Sequence, residues 1–228
     1  MARRFGAHFG WKAGKAEVAS WQNSLSRVRD LVDIAELKDN RITLEYEVPY
    51  NQSRIDCLLF GRNEQADDHM CLIELKQWTE VEPTEDEGNY SVRTYTGGAK
   101  RVVPHPAQQV KGYHDYMKYF VEEFEKNPPL TLYSCADCHN YSDDVAGVYD
   151  SRYKPSLDEF PVYSMNDVAE LSDLLKSRLS PDFAALPNIQ SKRSCCFTSR
   201  RVKLWRKCIA PASVVRRSGL RPVRTICS

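Results

Sequence analysis

No stretch of this sequence approaches the ~20 consecutive apolar residues of a membrane span, which excludes a transmembrane helix. The opening residues, MARRFGAHFGWKAGK, are basic but lack the apolar centre of a secretory signal, so a cytoplasmic protein with reduced thiols is the expectation. The pattern GxxxxGK[ST] is missing, TGGAK at 96–100 being a poor imitation, and this excludes a P-loop ATPase. No second CxxC accompanies Cys135-x-x-Cys138, which removes a four-cysteine zinc site. No internal repeat occurs.

Acidic residues are absent from 191 to 228, where eleven Lys and Arg stand. The net charge of +1 therefore hides an asymmetry, because residues 1 to 190 carry 21 basic and 31 acidic residues, a formal −10. The basic end also holds four of the eight cysteines and shows no sustained helical or strand period. Clustered Lys and Arg suit an arm that binds nucleic acid by releasing counterions from phosphates. Such an arm has no need of four free thiols, so a disordered or out-of-frame tail, 187–228, is the preferred reading.

The remaining chain reads as one α/β domain with a mixed sheet flanked by helices, spanning 1–186. Val18, Trp21, Leu25, Val28, Leu31 and Val32 recur at helical spacing over residues 16 to 37. Residues 42 to 48 alternate Ile42, Leu44, Tyr46 and Val48 against polar neighbours, the pattern of a half-buried strand. Residues 54 to 61 and 69 to 76 are two further strands around a polar loop. The acidic stretch 79–89 reads as a solvated loop, and 90–103 as a hairpin about Gly97-Gly98. Residues 105 to 126 predict a helix with Pro106 in its first turn, capped by His105. Inner strands at 131–136 and 160–164 follow, then a helix capped by Asn166 that turns Val168, Leu171, Leu174, Leu175 and Leu179 inward.

The stretch CLIELKQW sets Glu74 and Lys76 into the end of a buried run, two residues apart and so on one face. In an antiparallel hairpin centred near Gln65, Phe60 faces Met70, Leu58 faces Leu72 and Asp56 faces Glu74. Two carboxylates would then lie about 5 Å apart beside Lys76, an arrangement that repels unless a cation intervenes. A hard divalent ion with oxygen ligands fits that need.

Asp56 followed by Glu74-Leu75-Lys76 resembles the core motif of the PD-(D/E)XK nuclease superfamily, and Gln109 to Tyr113 fits the QxxxY motif of its RecB-like branch. WQNSL, LEYEVP, RIDCLLFG, IELKQW, HPAQQVKGY and CHNY together look like the nuclease-like domain that precedes the helicase in bacterial Schlafen-like DNA/RNA helicases. The resemblance covers roughly residues 15 to 180. It implies a restriction-endonuclease-like fold and Mg²⁺-dependent cleavage of nucleic acid, DNA before RNA, with Mn²⁺ as the alternative ion. It further implies that Asp56, Glu74 and the carbonyl of Leu75 hold the metal, while Lys76 orients or deprotonates the attacking water. Gln109 and Tyr113 would help position the metal site or the strand. The superfamily's first-helix glutamate is best matched by Glu17, with Glu45 and Glu47 as rivals. A non-catalytic nucleic-acid-binding or regulatory module with the same fold is the alternative. Where the family continues into a helicase this chain has the basic tail, so a truncated or frame-shifted product lacking its helicase partner is expected. No membrane partner is expected.

Cys135-x-x-Cys138-His139 copies the attachment pattern of c-type haem. Its strand-like, apolar setting argues that these residues are core and hold no cofactor.

Overall fold

The computed structural model describes residues 15–48, 53–85, 87–121, 124–125, 129–142, 147–180 and 195–198, with the backbone alone described at 15–22 and 195–198. The helical stripe forms α1 (Lys15–Ile34), which lays Val28, Leu31 and Val32 on one face of a sheet. The chain then forms a meander of β1 (Arg41–Glu47), β2 (Arg54–Arg62) and β3 (Asp68–Leu75). A second sheet follows, made of β4 (Val81–Pro83), β5 (Ser91–Thr96) and β6 (Ala99–Pro104), and leads into α2 (Pro106–Phe120).

Strand β7 (Thr131–Cys138) runs parallel to β3, which requires the long crossover that the small sheet and α2 supply. Two 3-10 turns and the short α3 (Lys154–Glu159) bring in β8 (Val162–Ser164), parallel to β7. Helix α4 (Val168–Leu179) comes next, and β9 (Cys195–Thr198) pairs antiparallel with β1. The main sheet has the order β8-β7-β3-β2-β1-β9. The protein is thus a mixed α/β fold with helices flanking a mixed sheet. Among the described residues no helix is long and apolar enough to cross a membrane.

The central strands are buried on both faces, so their sequences are nearly continuous apolar runs. Cys57, Leu59, Cys71 and Ile73 pack under α1 and α4, where Leu171, Leu175 and Leu179 point inward. Leu58, Phe60, Met70 and Leu72 pack under Ala107, Val110 and Met117 of α2, together with Val81 and Val92 of the small sheet. Gly61 marks a close approach, since a Cβ there would lie 2.8 Å from the Leu179 carbonyl and nearer still to the Asn40 amide. Asn40, fully buried, donates to the carbonyls of Phe60 at 3.2 Å and Leu179 at 2.8 Å, tying the end of α4 to β2.

Several expectations are corrected. The strand at 42–48 does not keep one face: Ile42 and Leu44 join the core under α1, whereas Tyr46 and Val48 join the other. Glu45 between them has φ +52°, and a left-handed residue inverts the phase of the strand. The acidic stretch is not wholly a solvated loop, because Val81 is buried and pairs with Thr94. Helix α2 ends at Phe120, not 126, and α1 at Ile34, where Glu36 follows at φ 61°. Ser164 takes the capping role expected of Asn166. Its hydroxyl accepts from Asn166 N at 3.1 Å while Asp167 returns a carboxylate to Ser164 N at 2.7 Å, a capping box that opens a 3-10 turn ahead of α4. Residues 195–198 of the basic tail form a strand where no structure was expected; Cys-Cys-Phe-Thr is a short β-forming run, and the edge of β1 offers it backbone partners. The rest of the tail lies outside the described residues.

Candidate active site at the end of strand β3

Strands β2 and β3 pair in the register expected from the loop at Gln65, with Phe60 opposite Met70 and Leu58 opposite Leu72. The ladder stops at Cys57–Ile73, and Asp56 and Glu74 stand one step beyond it. On the other side of β2 the ladder with β1 passes from Leu44–Cys57 to Tyr46–Ile55, omitting Glu45 and Asp56. The left-handed residue Glu45 thus interrupts the pairing of Asp56 with β1, and the ladder with β3 also ends just before Asp56. Its carboxylate takes over a backbone role, Oδ2 accepting from Leu75 N at 2.8 Å. Along a strand a residue's N–H and C=O leave on the same side, so the Leu75 carbonyl also leaves toward Asp56.

Glu74 is only 3% exposed. Its Oε1 accepts from Lys76 Nζ at 2.7 Å and from Gln109 Nε2 at 2.6 Å. Lys76 Nζ also donates to Gln109 Oε1 at 2.8 Å, and Gln109 Nε2 lies 3.2 Å from the Tyr113 hydroxyl. Gln109 and Tyr113 are four residues apart on α2, and their shared face looks onto the end of β3. The Lys76 ammonium also stands 5.4 Å from the centre of the Trp78 ring, near enough for a cation–π contact.

The other oxygen of Glu74, Oε2, is buried without a hydrogen-bond partner. A buried, unsatisfied carboxylate oxygen is costly, and the protonation equilibria show it. Burial, then the charge of Asp56, push the Glu74 carboxyl up to about 8 against the pull of Lys76. Asp56 is raised as well, chiefly by burial, with Lys76, the Leu75 N–H, Arg54 and a hydrogen bond with the Glu74 carboxyl opposing. Burial presses the Lys76 ammonium downward, but Glu74 and Asp56 more than offset it, and its pKa lies above the ordinary lysine value. Burial and the neighbouring Glu74 raise the Tyr113 phenol.

Two carboxylates, one with an orphaned oxygen, and a nearby backbone carbonyl match the oxygen donors a hard cation takes. Among the described residues no group of three or more His, Cys, Asp or Glu side chains converges as a metal site. Glu17 lies in α1, and its side chain is outside the described residues. Glu45 pairs with Arg54 at 3.0 Å and adds to the electrostatic load on Glu74. Glu47 ends β1, paired with Arg54 in the ladder.

The sequence gives a weaker signal for the support beneath Lys76. Its backbone N–H donates to the Asp137 carbonyl at 2.9 Å and its carbonyl accepts from His139 N at 3.1 Å. The Asp137 side chain is fully buried and receives Arg27 Nε at 2.7 Å and Nη2 at 3.0 Å, a two-pronged pair from α1. Burial raises Asp137 to about 6 despite Arg27. A lone acid in the apolar stretch SCADC is the same anomaly that marks Glu74, and it could have flagged this pair.

Cys135 and Cys138 are both buried, but three residues apart on β7 they enter opposite cores and cannot present thiols to one cofactor. His105 caps α2, with Nδ1 accepting from Ala107 N at 3.2 Å and Nε2 lying 3.0 Å from the Val148 carbonyl. Burial lowers its pKa to about 4.

A cleft of about 390 Å³ opens beside Lys76, bounded by residues 75–78 on one wall and the tip of the β5–β6 hairpin, 95–98, on the other. In comparisons with known proteins, no family model, curated protein or solved structure matches this chain.

Proposed function

We propose that this chain is a metal-dependent nuclease, hydrolysing phosphodiester bonds of nucleic acid, DNA before RNA, at Asp56, Glu74 and Lys76. The observation that carries the reading is the pair of buried carboxyls, Glu74 and Asp56, set against each other beside a lysine, with no protein donor reaching Glu74 Oε2. That environment is unfavourable for the bare protein and suited to one holding a divalent cation.

Asp56, Glu74 and the Leu75 carbonyl are the donors that would hold Mg²⁺ or Mn²⁺. The ion would supply Lewis-acid polarisation of the scissile phosphate. The Lys76 ammonium offsets charge that builds on that phosphate. A lysine held above its ordinary pKa acts as a cation and orienting donor, which favours that role over deprotonating the water. Gln109 is a positioning residue, since it fixes both Glu74 and Lys76, and Tyr113 fixes Gln109. An acidic body grips a polyanion poorly, so the reading includes a helicase or ATPase partner that delivers the strand. It also includes a reducing, cytoplasmic setting, supported by Cys57, Cys71, Cys135 and Cys138, all buried and unbridged.

Calorimetric titration of Mg²⁺ into the full chain at pH 7.5 tests the reading. Binding accompanied by proton release is expected, because the ion displaces a proton from Glu74, and Glu74→Gln should lose both. Absence of binding in the unaltered protein contradicts the metal site and leaves a non-catalytic module as the better description.

A further inference from the structure

The β5–β6 hairpin stands across the cleft from Lys76 and differs in charge from the body that carries it. Residues 91 to 104 contain Arg93, Lys100 and Arg101 and no acidic residue, although residues 1–190 are at −10. The register pairs Tyr95 with Lys100 and Arg93 with Val102, so these four side chains share one face of the hairpin. All four are exposed, Tyr95 at 60%. An aromatic ring beside Arg93 and Lys100 has the composition of a stacking platform for unpaired bases, with Glu82 of β4 standing opposite Arg93 and paired with Lys100.

The tip supports the same use. Gly97 and Gly98, at φ +59° and +82°, make the two-residue turn that fits the twist of a hairpin. A Cβ on Gly98 would meet nothing within 4 Å, so the turn leaves its outer side open to a close-approaching ligand. The cleft between this tip and Trp78 has the volume of a small-molecule pocket, enough to seat one unpaired nucleotide.

We infer that the hairpin is a binding arm for single-stranded nucleic acid, with Tyr95 stacking on an unpaired base and Arg93, on the same face, meeting a phosphate on the way to Lys76. The inference rests on the proposed nuclease reading for what happens at Lys76, but the binding it describes needs neither metal nor cleavage. Lys100 contributes less, because it is ion-paired with Glu82.

Fluorescence anisotropy with a labelled twelve-nucleotide dT strand, and with a duplex of the same length, tests it on the full chain in EDTA. The single strand is expected to bind more tightly. Tyr95→Ala should weaken that binding by roughly 5- to 150-fold, the range of one stacked base, while Tyr95→Phe keeps it. Arg93→Ala should reduce the salt slope by about one, whereas Arg101→Ala, on the other face, should leave it unchanged. Equal or tighter duplex binding, undiminished binding by Tyr95→Ala, or no binding of either probe overturns the inference. Tyr95-dependent binding without cleavage when Mg²⁺ is restored supports the arm and counts against the hydrolytic reading alone.

Discussion

Gln109 holds Glu74 and Lys76 with one amide: its Nε2 donates to the carboxylate at 2.6 Å and its Oε1 accepts from the ammonium at 2.8 Å. Both amide groups are used in the direction their chemistry allows, so the side chain cannot be replaced by an acid or an apolar isostere without loss. Gln109→Leu should leave the fold intact, because the neighbouring Val110 and not Gln109 supplies the buried contact of α2. It should weaken metal affinity by ~10–100-fold, as is usual for a side chain that orients a ligand. Titration with Mn²⁺ followed by electron paramagnetic resonance checks this; unchanged affinity would make Gln109 a packing residue only.

In metal-free protein Glu74 should cost stability as pH rises from about 4.5 to about 8. Glu74 keeps its proton in the folded state up to about 8, while the unfolded chain releases it near the ordinary 4.5. In that window the unfolded chain holds fewer protons, and rising pH favours it. Asp137, raised to about 6 from an ordinary 3.8, acts in the same direction over the lower part of the range. His105, lowered to about 4 by burial, acts in the opposite sense below about 6.5, so melting temperatures should slope downward from pH 6.5 to about 8, with Glu74→Gln flattening that slope. A rising curve over that range in the unaltered protein would contradict the buried, unsatisfied carboxylate.

Arg27 and Asp137 should behave as a buried pair. Arg27→Ala leaves a buried carboxylate uncompensated and is expected to cost about 3–5 kcal/mol in denaturant unfolding. The double change Arg27→Met with Asp137→Leu should recover much of that loss, since an apolar pair needs no partner. Equal loss in the single and double variants would show that the two residues do not act together.

The register of β2 and β3 was legible because both strands are continuous apolar runs, and a slip of one residue would turn every side chain to the other face. The same register brought Asp56 to the end of the ladder beside Glu74. The reversal at Glu45 was not legible: a glutamate with φ +52° carries none of the sequence signal that glycine gives, and Ile42 to Val48 alternate as if the strand were regular. Ser164 and Asn166 are both good caps two residues apart, and only the 3-10 turn Met165–Asp167, which begins after Ser164 and includes Asn166, decides between them. The Arg27–Asp137 pair spans more than a hundred positions, so periodicity could not find it. The tail strand depends on an edge of β1 that no local pattern reveals.

Gly61→Ala should destabilise the domain without touching the site. The new Cβ meets the Leu179 carbonyl at 2.8 Å and the amide of Asn40, both of which are fixed by hydrogen bonding to each other. A loss of ~1–3 kcal/mol in urea unfolding is the expected scale for such overpacking, with metal affinity unchanged.

The most direct measurement is single-turnover cleavage of end-labelled single- and double-stranded oligonucleotides by the full chain at pH 8, with and without Mg²⁺, beside Glu74→Gln and Lys76→Met. Cleavage that requires the ion and falls by at least a hundredfold in both variants, on the order of one lost electrostatic contact in a transition state, is the expected result. Cleavage that persists in EDTA or in either variant, or none by the unaltered chain while it binds both Mg²⁺ and the strand, would contradict a nuclease site at Asp56, Glu74 and Lys76.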